Sequence, residues 1–197
     1  MEEIRCFIAI ELPEELKQEL ARLIVRLKAR QPPPAKWVDP ASIHLTLNFL
    51  GNVAVERIDE ITMAMTEATR QIPPFQLEVK ELGAFPNINR VQIVWVGISG
   101  ELDTLIRLQR LLDSNLSQLG FNAEARAFTP HLTLARVRDQ ASPEERQKLG
   151  KLIAGTTFEA GIIKVKSIGL IKSQLTRAGA IYSRISLAEL GGGLTLP

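Results

Sequence analysis

The sequence predicts an α+β protein of two similar lobes that face each other across a groove. Three observations carry that expectation. The phrase His-Leu-Thr-Leu occurs twice, as His44-Leu45-Thr46-Leu47 and His131-Leu132-Thr133-Leu134. The copies start about 87 residues apart, near half of the 197-residue chain, as an internal duplication would place them. Around each copy, segments of strand period and helix period alternate in the same order.

Taken in order, Arg5 to Glu11 reads as a first, mostly buried strand. Pro13 stands where a helix can start, and Glu14 and Glu15 suit its positive N-terminal end. Leu16, Leu20, Leu23, Ile24 and Leu27 then recur at helical spacing until the Pro32-Pro33-Pro34 run. Lys36 to Pro40 reads as a loop or short extended piece. Ile43 to Leu50 is the first motif strand, closed by Gly51-Asn52. A second helix carries Ile58, Ile61, Met65, Ala68 and Ile72. Phe75 to Leu82 alternates as a half-buried strand does, and Gly83 to Asn87 reads as a turn-rich break.

The order then restarts. Val91 to Val96 is a strand, Ser99-Gly100 introduces a helix with Leu102, Leu105, Leu112, Leu116 and Leu119, and Gly120 stops it. Ala127 to Pro130 leads into the second motif strand. Ser142-Pro143-Glu144-Glu145 has the form of a capping box, ahead of a helix buried through Leu149, Leu152 and Ile153. Phe158 to Ile171 and Ala180 to Leu187 read as closing strands. The expected lobes are about 1–86 and 87–190, with terminal strands free to exchange between them, and 191–197 is expected to be a loose tail.

Bulk properties bound the function. A 45% hydrophobic, 23% charged composition suits a globular protein, and a net charge of +2 does not suit one that coats long nucleic acid. The single cysteine, Cys6, allows no internal disulfide and no cysteine-based metal site. The acidic start has no signal-peptide core and no apolar run reaches membrane-spanning length, so cytoplasmic residence, no membrane partner and a monomer are expected.

The chemistry lies in the repeated phrase. Residues i and i+2 of a strand share a face, so each copy sets an imidazole and a hydroxyl on one side and two leucines on the other. The chain has only two histidines, and each opens a copy. Two opposed imidazoles can supply one proton acceptor and one proton donor in a turnover, as water attack on a cyclic phosphodiester requires. In-line displacement at phosphorus needs them on opposite flanks. Thr46 and Thr133 can donate hydrogen bonds to the non-bridging oxygens. No cofactor is called for, and no His-x-x-x-His or cysteine pair suggests a metal.

These residues resemble the two-histidine (2H) phosphoesterase superfamily, and within it the RNA 2′,3′-cyclic phosphodiesterases, also called 2′-5′ RNA ligases. The likeness includes Arg5 to Ile10, Trp37, His44 to Gly51, Phe85-Pro86 and Pro130 to Arg136. It implies a bilobal fold with antiparallel sheets lining the central groove and helices on the outer faces. It implies hydrolysis of RNA 2′,3′-cyclic phosphate ends to 2′-phosphomonoesters, with His44 as proton donor and His131 as acceptor, and ATP-independent 2′-5′ joining as the reverse. Strand parity alone does not distinguish the two histidine roles.

Secondary candidates follow. Arg136 resembles a family arginine that holds phosphate, yet strict alternation sets it on the face opposite His131, so only a bulge or the strand end could bring it in. Phe7, Phe49 and Trp37 could stack on a base, though Phe49 shares the parity of Leu45 and Leu47 and is expected in the core. Tyr182 lies in a closing strand within reach of the groove. Arg90, Arg126, Lys172, Arg177 and Arg184 could form a basic rim. The same site would also serve a small cyclic nucleotide, a 2′-5′ oligonucleotide or a cyclic phosphate of ADP-ribose. A non-catalytic RNA-end binding module would not need two titratable groups.

Overall fold

The structure is a computed structural model that describes residues 2–30, 32–122, 127–176 and 180–192. In chain order the elements are β1 (Glu3–Glu11), α1 (Glu14–Lys28), β2 (Ala35–Trp37), β3 (His44–Ala54), α2 (Ile58–Arg70), β4 (Phe75–Phe85) and β5 (Ile93–Gly100). They continue with α3 (Leu102–Gln118), β6 (His131–Val137), α4 (Pro143–Ala154), β7 (Glu159–Val165), β8 (Ser167–Leu175) and β9 (Ala180–Glu189). The strands form two antiparallel sheets, one of order β3-β1-β8-β9 and one of order β2-β6-β5-β4-β7. The fold is α+β.

Local chemistry explains the helices. Pro13 stands as the extended N-cap of α1, Glu14 and Glu15 fill the first turn, and Arg26 and Lys28 the last, which complements the helix dipole at both ends. Its Leu16, Leu20, Leu23, Ile24 and Leu27 are buried. At α4 the capping box is closed: Glu145 N–H donates to Ser142 Oγ at 3.2 Å, and Ser142 N–H donates to Glu145 Oε2 at 2.7 Å. In α3 the buried stripe is Leu105, Leu108, Leu112 and Leu116. The apolar faces of helices and sheets meet in one core that runs from Ile8 and Leu45 to Val96 and Leu132.

Several boundaries differ from the expected ones. Strand β3 does not stop at Gly51-Asn52 but runs to Ala54, because Gly51 takes a positive φ of 71° opposite Cys6 at a bulge in the β1–β3 ladder. Gly83 belongs to β4 rather than to a turn. The Trp95 ring lies where a Cβ at that position would fall, 2.1 Å from its Cη2, so packing rather than chain reversal requires glycine there. Strand β5 extends to Gly100, and α3 starts after it. The segment Phe158 to Ile171 is two strands, β7 and β8, which pair in different sheets.

Pairing also cuts across the halves of the sequence. β2, from the first half, pairs with β6. β4 pairs with β5 across residue 86, and β8 and β9 return to β1. Of the expected tail, 193–197 lie outside the described residues.

Candidate active site

The groove is set by β3 and β6, which belong to different sheets yet come within 8 Å, Cα to Cα. The link between them is also a strut. Val38, just past β2, donates its N–H to the Leu134 carbonyl of β6 at 2.8 Å. Asp39 then caps a 3-10 turn at Pro40–Ser42, its Oδ1 accepting from Ala41 N–H, and the chain enters β3 at His44. A stretch bonded to one motif strand therefore launches the other.

Both histidines are held alike. His44 Nδ1 lies 2.8 Å from the Ser42 carbonyl, and His131 Nδ1 lies 2.7 Å from the Thr129 carbonyl. A carbonyl only accepts, so each Nδ1 carries the proton and each Nε2 is left to take or give one. Both rings are half-buried. Thr46 and Thr133 share the faces of their histidines, and among the described residues neither hydroxyl bonds a protein group. Two polar faces of the same design thus meet across one cleft.

The strands also share a bulge. Between β1 and β3 the register steps from Ile8↔Asn48 to Ala9↔Thr46, and between β5 and β6 from Val94↔Ala135 to Trp95↔Thr133. In each motif strand two consecutive residues, Leu47-Asn48 and Leu134-Ala135, are buried, and parity inverts after them. Arg136 therefore joins the face of His131, against strict alternation, and is exposed. Phe49 likewise joins the face of His44 and is 59% exposed, which corrects its expected place in the core.

The surroundings of the two rings differ. Phe7, only 4% exposed, stacks on His44 with centroids 4.4 Å apart. Tyr182 meets both rings edge-on, at 5.1 Å from His44 and 5.2 Å from Phe7, and Phe49 lies 6.2 Å from Phe7. Burial pushes the His44 imidazole below its ordinary range, with Lys17 adding to the effect, against the Ser42 carbonyl and Glu11, which favour the charged form. His131 has Phe85 edge-on at 4.9 Å and Trp95 at 6.5 Å.

The remaining candidates divide. Arg184 sits on the His44 face but pairs with Glu11 at 2.8 Å. Lys172 stands opposite Cys6, on the other face of that sheet. Trp37 packs on the core, with Lys28 Nζ 5.8 Å from its ring centroid. Arg90 is exposed in the β4–β5 connection, and Arg126 and Arg177 lie outside the described residues. Trp95 and Phe85 flank His131 without having been singled out from sequence, and their signal is register, since Trp95 pairs with Thr133. Surface depressions along α3, lined by Asp103, Arg107 and Arg110, and near Arg26 and Lys151 contain neither histidine. No described helix is long and apolar enough to cross a membrane.

The model of the LigT like Phosphoesterase family matches the chain twice in succession, over residues 10–95 and 96–182. The chain belongs to the LigT-like phosphoesterase family. Its relatives include the RNA 2′,3′-cyclic phosphodiesterase of Methanothermobacter thermautotrophicus, 34% identical over 95% of this chain and 99% of that one. Among solved LigT-like structures, TT0787 of Thermus thermophilus superposes with a TM-score of 0.78 at 26% identity, over 96% of this chain and 99% of its own. Escherichia coli LigT complexed with 3′-AMP gives a TM-score of 0.73 at 28% identity, with the same coverage. All three likenesses span both motif strands.

Proposed function

We propose that this LigT-like phosphoesterase hydrolyses the 2′,3′-cyclic phosphate ends of RNA to 2′-phosphomonoesters by two-histidine acid–base catalysis. The carrying observation is the matched geometry of the two motif strands. Each presents a free Nε2, oriented by a backbone carbonyl, beside a free threonine hydroxyl. In the reading taken from the family resemblance, His131 Nε2 removes a proton from water as its oxygen bonds to phosphorus. The bond from phosphorus to the 3′ oxygen breaks, and His44 Nε2–H protonates that oxygen. Thr46, Thr133 and Arg136 hold the non-bridging oxygens, where the charge resides. Run backwards with a sugar hydroxyl in place of water, the same steps join RNA ends through a 2′-5′ bond.

Burial disfavours the imidazolium of His44 in the empty groove. The anionic phosphodiester brings a negative charge beside it and so favours the form that can donate. In this reading the enzyme acts on RNA ends in the cytoplasm as a monomer, which light scattering of the purified protein checks.

The test is turnover of an oligonucleotide ending in a 2′,3′-cyclic phosphate in excess chelator, with the product followed by phosphorus NMR. A 2′-phosphate is expected. A 3′-phosphate, or turnover abolished by chelator, overturns the scheme. The 3′-AMP complex of E. coli LigT favours a second reading, in which a cyclic mononucleotide suffices as substrate. Comparing the two substrates at matched concentration separates the readings.

A further inference from the structure

Strand β2 has three residues and forms one edge of the five-stranded sheet, paired only with β6. Its central residue, Lys36, is the direct partner of Arg136. Residues directly opposite each other in an antiparallel pair share a face. The bulge has already turned Arg136 onto the face of His131 and Thr133, so Lys36 stands on that face too. Both side chains are exposed, and among the described residues neither has an ion-pair or hydrogen-bond partner.

Like charges directly opposite each other repel, and nothing in the protein relieves this pair. The fold does not demand it. The equivalent position in the other motif strand is Phe49, whose cross-strand neighbour is Phe7. A local conflict of this kind at the mouth of a catalytic groove marks a place where the ligand supplies the missing charge. Same-face residues along a strand are about 7 Å apart, so the cation pair lies one such step beyond Thr133, within the reach of one nucleotide.

We propose that Lys36, together with Arg136, binds the next phosphodiester of the RNA chain, on the 5′ side of the terminal nucleotide. The inference rests on the activity proposed above and adds a second phosphate subsite to it. Arg136 serves the reacting phosphate and borders this subsite, and Lys36 belongs to the second phosphate alone. A dinucleotide with a cyclic end occupies the subsite, whereas a cyclic mononucleotide leaves it empty.

The experiment compares kcat/KM for a cyclic mononucleotide and for a dinucleotide ending in a 2′,3′-cyclic phosphate, in the native protein and in Lys36→Ala and Lys36→Arg. The ratio of dinucleotide to mononucleotide is expected to fall about tenfold in Lys36→Ala, the worth of one charge-assisted contact, and to be largely kept in Lys36→Arg. The salt dependence of the dinucleotide reaction should weaken by about 0.7 in log–log slope, as for one phosphate contact on a single strand. An unchanged ratio overturns the subsite, as does an equal loss on both substrates. Binding of the products, a dinucleotide against a mononucleotide 2′-phosphate, reads the same ratio without turnover. Selective binding in a protein without turnover would therefore fault the proposed chemistry and not the subsite.

Discussion

Strands β3 and β6 pass through the same series of backbone events. Each opens on a histidine whose Nδ1 is bonded to the carbonyl two residues earlier, sets a threonine two residues later, and then bulges so that the fifth residue after the histidine returns to the groove. Around β3 that residue is Phe49, and the histidine is enclosed by Phe7 and Tyr182. Around β6 it is Arg136, with Lys36 beside it. The bulge differs as well: Asn48 donates from Nδ2 to Asp113 of α3, whereas its counterpart Ala135 is simply packed. What the strands share is what proton transfer at phosphorus requires. What they do not share gives the groove an aromatic side and a cationic side, so a nucleotide fits one way round.

The largest test breaks the shared part. His44→Ala and His131→Ala should each lower kcat by about 10² or more with circular dichroism unchanged. The double variant should be little worse than the poorer single one, since the two act as a unit. Retained turnover in both single variants would end the catalytic assignment. A smaller effect should separate the unlike parts. Phe49→Ala should raise KM by about tenfold, the scale of one lost base stack, and leave its salt dependence alone. Arg136→Ala should raise KM to a similar degree and flatten the salt dependence. Matching salt responses in the two variants would erase the distinction drawn here.

The smallest effect sharpens the difference in proton roles. His44 is held below its ordinary range by burial, while Glu11 favours its charged form. Glu11→Gln removes that support, so the limb of the kcat/KM profile that belongs to His44 should move to lower pH. A donor must start protonated, so its limb falls as pH rises. If Glu11→Gln moves the falling limb, His44 is the acid. If it moves the rising limb instead, the two roles are exchanged.

The repeated His-x-Thr faces were legible because a strand has a period of two and the leucines between fix which side is buried. Helix ends were legible where capping chemistry is explicit, as at Ser142 to Glu145. Phe49 and Arg136 were not, because neither Leu47-Asn48 nor Leu134-Ala135 carries a glycine or proline to announce a bulge. Lys36 and Trp95 depend on cross-strand register, which a single sequence does not display. The split between β7 and β8 was hidden because apolar residues continue on both sides of Lys166. Gly83 misled because its neighbour in space, Trp95, is twelve residues away in sequence.

The exchange of strands between sheets makes the groove a property of the whole chain. Severed between residues 86 and 87, the amino-terminal piece would lose β8 and β9 from one sheet and keep β2 and β4 without the strands they pair with. The other piece would hold β5, β6 and β7 with β7 detached from its only neighbour, β4, and β8 and β9 without β1. Neither fragment is a jaw that could close on its own, so the spacing of the two imidazoles is inherited from covalent continuity rather than from the docking of separable parts.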